Sequence, residues 1–360
     1  MQPCIVFRVD ASPVIGLGHL MRCLAVSQGL ENANVEVVFV VNETTLAYCS
    51  SRHDWSGEVI VIPPMTMVDE GNWLTKKCAE LQADWLILDG YGFDYQYRSN
   101  LSNLTGKLAI FDDGNLCWVA KPDPRVQLVI NWATQAEHLP YREVVPNALL
   151  CVGEDFRVLR QEFLKKNNTP WLQRQGLLLI FGGSDPFDLT LPLLTLFCQA
   201  GVRLPITVVT GAAYEHTRAL QEVISNSELS IIHLHDCQNM ADVLGDVRLV
   251  ISAAGASQYE LLCCATPCIL IVVAENQRFA SEQAAKQGWC HVQQYDATQP
   301  TNTVQQIFEL GLKLWHQDEL LSAMHRHALE YQNEMGITLI INRLYPDVGH
   351  NSNSAVLGVS

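Results

Sequence analysis

Charge is scarce in this 360-residue chain, and positive charge scarcer still. Only 17% of residues are charged, with 23 Lys plus Arg against 38 Asp plus Glu, a net charge of −15. The shortage of cations argues against a nucleic-acid surface, because binding to a phosphate backbone runs on clustered Lys and Arg. An anionic membrane surface is disfavoured for the same reason. A small phosphate-bearing ligand stays open, since a helix N-terminus holds phosphate without net positive charge. No apolar run approaches the ~20 residues of a membrane span; Cys268 to Ala274 is among the longest. No Cys-x-x-Cys occurs among the twelve cysteines, and most sit in apolar runs such as Leu150-Cys151-Val152, so no disulfide framework is expected. The opening Met1-Gln2-Pro3-Cys4 lacks a basic stretch followed by an apolar one. That predicts no signal peptide and a cytoplasmic protein with reduced thiols.

What is present is apolar: 48% of residues are hydrophobic, which excludes disorder and coiled coil. At roughly 150 residues per domain the length predicts about two domains. Short apolar runs alternate with helical spacing. Cys4 to Val9, Val35 to Val41, Trp85 to Leu88, Leu108 to Phe111 and Val126 to Asn131 read as strands, and His19 to Leu30 as a helix. The polar stretch Lys165 to Pro170 is the clearest linker. Beyond it the alternation restarts, with strands at Gly176 to Phe181, Ile206 to Thr210, Ser230 to Leu234, Leu249 to Ser252 and Cys268 to Val273. Continuous apolar strands suit a parallel sheet covered on both faces. The expectation is α/β, with doubly wound Rossmann-like domains at 1–160 and 171–345 facing across a cleft and a flexible tail at 346–360.

Three loops could carry chemistry. In the first, a strand ends near Asp10, a loop with Gly16 and Gly18 follows, and a helix opens near His19 and Arg22. Glycines let a backbone approach a ligand closely, and the helix start offers free N–H groups. A dinucleotide fingerprint would need a third glycine where Met21 stands, although Glu43 sits where a ribose-binding acid belongs. His19 in a first helical turn is disfavoured as a cation, which suits a general base. An ordinary βα turn with a structural His is the plain alternative. The second loop, Phe181 to Pro186, holds Gly183 and Ser184; the third, Ser252 to Glu260, holds Gly255 and Ser257. Small residues after a strand bare N–H groups for a diphosphate, and the Glu260 carboxylate could meet ribose hydroxyls. Tight turns, and a capping box between Ser257 and Glu260, are the competing readings.

These runs, with Asn276-Gln277, resemble the PseG family, the UDP-2,4-diacetamido-2,4,6-trideoxy-β-L-altropyranose hydrolases of pseudaminic acid biosynthesis. The resemblance spans roughly residues 4 to 345 and implies a two-domain GT-B fold. It implies that His19 is the catalytic residue acting on water, and that Gly16 and Gly18 belong to its loop. It further implies that Gly183 and Ser184 face the nucleotide, that Gly255, Ser257 and Glu260 meet diphosphate and ribose, and that Asn276 and Gln277 lie nearby. Asp89 and Tyr91 resemble the family's Asp-x-Tyr, and Arg160 its Tyr-x-x-Leu-Arg arginine. In that segment Phe156 replaces the Tyr, and Ala254 stands for a glycine of the third loop.

The expected activity is inverting hydrolysis of the C1–O bond of a UDP-sugar, with no metal and no other cofactor, Asp112-Asp113 being read as turn residues or helix caps. A GT-B glycosyltransferase with another acceptor and a non-catalytic nucleotide-sugar-binding protein are the alternatives. A lipid acceptor would want a basic patch, and in the first domain only Lys76-Lys77 clusters.

Overall fold

The apolar runs become buried strands and the segments between them crossover helices. The computed structural model describes residues 2–12, 15–31, 33–114, 116, 121–164 and 169–346. Four residues of the expected linker, 165–168, and nearly all of the expected tail lie outside them. The chain divides into two compact units, Met1–Gln161 with Asn333–Ser360, and Glu162–Gln332.

The first unit runs β1 (Cys4–Val9), α1 (Gly18–Leu30), β2 (Glu36–Val41), α2 (Glu43–Ser51), β3 (Glu58–Val61) and α3 (Met67–Glu80). It continues with β4 (Trp85–Asp89), α4 (Tyr95–Ser99), β5 (Lys107–Phe111), β6 (Val126–Asn131), α5 (Tyr141–Val144) and β7 (Leu149–Val152). All seven strands pair in parallel in the order β3-β2-β1-β4-β5-β6-β7. The order reverses between β1 and β4, the place where doubly wound sheets bind ligands at their strand C-termini. Val9 pairs with Asp89, so the two strands end level there. One face of the sheet is packed by a core that includes Val6, Val38, Leu86, Leu108 and Val129.

After α6 (Gln161–Leu164) the second unit runs β8 (Leu177–Ile180), α7 (Thr190–Gln199), β9 (Ile206–Thr210), α8 (Thr217–Ser225), β10 (Ile231–His235) and α9 (Met240–Asp246). It ends with β11 (Leu249–Ala253), α10 (Ser257–Cys263), β12 (Cys268–Val272), α11 (Glu275–Lys286), β13 (Cys290–Gln294), α12 (Pro300–Trp315) and α13 (Asp318–Glu330). The parallel order β10-β9-β8-β11-β12-β13 repeats the first sheet's topology, with its reversal between β8 and β11.

One boundary departs from the sequence reading, which keeps residues to 345 in the second domain. Helix α14 (Gly336–Leu344) packs in the first unit, against α1 and β7. The reason is local. Gly29 leaves a notch in α1, where a Cβ would come within 2.3 Å of the Ile337 side chain. The Trp85 indole donates to the Leu344 carbonyl at 3.0 Å, fixing the far end of the helix. Among the described residues no helix is long and apolar enough to cross a membrane.

Candidate active site

The loop after β1 is built around Gly16, whose φ of +82° is a left-handed value that favours glycine. Its N–H donates to the Ser12 carbonyl at 2.7 Å, closing a small bridge. A Cβ on Gly16 or Gly18 would meet nothing within 4 Å. Space beside this loop is therefore open. Leu17 caps α1 without a side-chain hydrogen bond, so the first N–H groups of the helix keep their polarity. Asp10 is held by Arg8 at 2.7 Å and accepts the Asn42 N–H at 2.9 Å, so it braces this loop. Glu43, the candidate ribose acid, opens α2 next to its Asn42 cap, a favourable place for a negative charge.

In the first turn of α1 the structure makes a connection that single motifs cannot show. His19 Nδ1 lies 2.7 Å from Asp89 Oδ1 at the end of β4. Asp89 is fully buried and His19 is 6% exposed. Burial alone would raise the Asp89 carboxyl, but the charge and hydrogen bonds of Arg22, with a further bond to His19, hold it below the ordinary range. An ionised carboxylate only accepts, so an Nδ1–H donated to Asp89 leaves Nε2 as the basic nitrogen; the Arg22 Nη2 donor also lies 3.0 Å from Nδ1. Arg22 bridges Asp89 and Asp113, donating to Asp113 Oδ1 at 2.8 Å. The guanidinium also lies over the Phe111 and Trp132 rings, 4.9 and 5.2 Å from their centroids. The Arg22 guanidinium is thus engaged by two carboxylates. Cys23 Sγ sits 3.5 Å from Asp89 Oδ2, and burial, then the Asp89 charge, push its thiol up, so it is no nucleophile. Tyr91 stands edge-on to His19 with centroids 4.9 Å apart.

The adjacent acids have separate tasks. Asp112 accepts from the Tyr141 hydroxyl at 2.5 Å and from the Gly114 and Leu116 N–H groups. Asp113 serves Arg22. Among the described residues no three His, Cys, Asp or Glu side chains gather where a metal could bind. Arg160 is not brought to His19. It lies by Asp54, whose carboxyl feels its charge, and Asp54 is reached by Gln28 in the last turns of α1. Gln28 lies nine positions after His19 along the helix, about 13 Å of rise.

In the second unit, the loops after β8, β11 and β12 leave three neighbouring strands at the order reversal. Gly183 packs under the loop after β9; a Cβ on Gly211 would lie 2.5 Å from the Gly183 Cα. Ser184 precedes Asp185, which caps α7 by accepting the Leu189 and Thr190 N–H groups, while burial pushes its carboxyl up. Gln277 accepts the Val273 N–H at 3.1 Å and brings its Nε2 to about 4.0 Å from a Cβ built on Gly255, so these loops converge. Ser257 is the first residue of α10 and Ala256 its cap, so no capping box forms there. Glu260 lies half-buried in the first turn. Asn276 lies in the first turn of α11.

Residues 177–334 match the glycosyltransferase family 28 C-terminal domain. That match coincides with the second unit almost end to end. Among curated relatives, an uncharacterized protein of Methanocaldococcus jannaschii is 24% identical over 75% of this chain, which spans only 55% of that protein. The spore coat polysaccharide biosynthesis protein SpsG of Bacillus subtilis is 22% identical over 76% of this chain and 78% of its own length. The UDP-2,4-diacetamido-2,4,6-trideoxy-β-L-altropyranose hydrolase of Campylobacter jejuni is 22% identical over 79% of this chain and 97% of its own. Among solved structures, Acinetobacter baumannii MurG superposes with a TM-score of 0.61 at 15% identity, covering 96% of this chain and 99% of its own. A UDP complex of MnaA from S. aureus gives 0.62 at 10% identity, covering 96% of each. The fold is therefore GT-B-like, two parallel-sheet Rossmann-like units, as the sequence reading expects.

Proposed function

We propose that this chain hydrolyses the C1–O bond of a UDP-activated 2,4-diacetamido-2,4,6-trideoxy sugar, releasing UDP and the free sugar. The observation that carries the reading is the buried His19–Asp89 pair, which leaves one imidazole nitrogen free to accept a proton from water. Asp89 orients the ring and Arg22 holds Asp89 in place. Placing a base in this way contributes about 10²–10⁴ in rate. UDP is a good leaving group, so N–H groups of the loops after β8 and β11 need only steady the departing diphosphate. Glu260 takes the ribose, with Gly183, Ser184, Gly255, Ser257, Asn276 and Gln277 around the nucleotide. No metal takes part, because Asp112 and Asp113 are already engaged with protein donors. The likeness to the Campylobacter jejuni hydrolase supports the substrate named.

A second reading, a glycosyltransferase passing the same sugar to another acceptor, is favoured by the family 28 match. Incubation of purified protein with the UDP-sugar alone, in excess EDTA, separates them. Stoichiometric UDP and free sugar support hydrolysis. An unchanged substrate that reacts only after an acceptor is supplied overturns it, and activity restored by Mg²⁺ overturns metal independence.

A further inference from the structure

Two groups compete for one nitrogen of His19. Nδ1 faces Asp89 Oδ1 at 2.7 Å, and the Arg22 Nη2 donor lies 3.0 Å from the same atom. In a neutral imidazole Nδ1 carries either a hydrogen or a lone pair. A hydrogen given to Asp89 leaves Nε2 basic. A lone pair accepting from Arg22 puts the proton on Nε2, and no basic nitrogen is left for water.

The choice is made by where the hydrogens of Arg22 go. Its Nε and Nη2 form a fork on Asp89, each at 2.5 Å, to Oδ2 and Oδ1. A second fork, Nη1 and Nη2, meets Asp113 at 2.8 Å to Oδ1 and 3.3 Å to Oδ2. A guanidinium holds its five N–H groups in fixed directions, two of them on each Nη. The two forks therefore use both hydrogens of Nη2, and whatever reaches toward Nδ1 is already given to a carboxylate. Asp113 follows β5, which pairs with β4 so that Ile110 stands opposite Leu88. Asp89 and Asp113 thus leave the same end of the sheet and take the guanidinium on two of its edges. Without Asp113 the second fork is lost, and Arg22 can turn a hydrogen to the ring. We propose that Asp113 is a positioning residue that sets the tautomer of His19 through Arg22, keeping Nδ1–H on Asp89 and Nε2 open. The consequence for turnover rests on the hydrolase reading; the tautomer does not.

The test is nitrogen NMR of the whole protein with isotope-labelled histidine, at a pH above the ordinary histidine range, with His19→Asn to assign the ring. Wild type is expected to show Nδ1 protonated and Nε2 bare. Asp113→Asn keeps one acceptor oxygen and loses the other. Its tautomer ratio is expected to move about tenfold toward Nε2–H, as loss of one hydrogen bond to a charged group would cause. Asp113→Glu keeps both oxygens and should restore the wild-type ratio. Because the effect runs through Arg22, Asp113→Asn in an Arg22→Met background is expected to leave the ratio unchanged. A role in folding alone would lower the melting temperature in both backgrounds and move the tautomer in neither. An unchanged ratio in Asp113→Asn overturns the proposal, and a wild-type ring protonated on Nε2 overturns it without any variant. Turnover of the UDP-sugar is read separately. In Asp113→Asn, kcat is expected to fall about tenfold with KM within about twofold, and to recover in Asp113→Glu. If no protein turns the sugar over while the tautomer shifts as stated, the hydrolase reading falls and Asp113 keeps its place. A normal kcat beside a shifted tautomer removes Asp113 from the reaction, and hydrolysis stands.

Discussion

His19 and Asp89 lie seventy positions apart in the chain and 2.7 Å apart in space. His19→Asn keeps a polar tip of similar volume but cannot take a proton. Single-turnover rate is expected to fall about 10²–10⁴-fold, while calorimetric UDP affinity stays within tenfold. A variant that loses melting temperature and keeps its rate would make the residue structural. Asp89→Asn tests the partner through stability. Because Asp89 is held below its ordinary value of 3.8 when folded, its contribution is full above that value and is lost as pH falls through the folded one. The melting-temperature gap between wild type and Asp89→Asn is therefore expected to be widest near neutrality and to close below about pH 3.8. A gap independent of pH would show that the carboxylate charge is not what stabilises. At this scale the sequence was half legible. His19, Asp89 and Arg22 are each visible in motifs, but their mutual contacts are not, since they depend on β1 and β4 lying side by side. Asp113 reads as a turn acid until Arg22 is seen reaching it.

At the scale of elements, the buried strands were legible, and of the four edge strands only β10 was, as Ser230 to Leu234. Cys4–Val9, Val126–Asn131 and Ile206–Thr210 coincide with the apolar runs because strands covered on both faces must be apolar throughout. β3, β7 and β13 lie toward the margins of their sheets. They are short or carry polar residues, as in Cys290-His291-Val292-Gln293-Gln294, so their pattern fades into loop. Helix α14 is amphipathic enough to be seen, but its docking place is set by Gly29 in α1. Gly29→Ala would drive a methyl into Ile337 and is expected to destabilise the first unit by about 1–3 kcal/mol, read by denaturant unfolding. The double variant with Ile337→Ala should recover part of that loss beyond what independent effects allow. Strict additivity would mean that the notch is not where the helix seats.

At the scale of the molecule, the second unit is one continuous stretch, Glu162–Gln332, and the first is assembled from two separated stretches. A fragment of residues 162–332 is expected to fold alone and to bind UDP measurably by calorimetry. Glu260→Ala in that fragment should weaken binding by about 1.5–3 kcal/mol, the range for a hydrogen bond to a charged group. A folded fragment without UDP affinity would remove the nucleotide from these loops.

The return of α14 to α1 also has a consequence in time. A ribosome makes α1 more than three hundred residues before α14. Until α14 is made, the notch at Gly29 and the indole N–H donor of Trp85 wait uncovered, while the second unit has its entire sequence in hand sooner. The order of maturation is therefore expected to run opposite to the order of the numbering, with the second unit finished first and the unit that holds His19 closed last. Domains usually complete from the N-terminus as they emerge. Here the nascent chain would carry an unfinished first unit until α14 is made, and a stall after residue 332 would leave it unsealed.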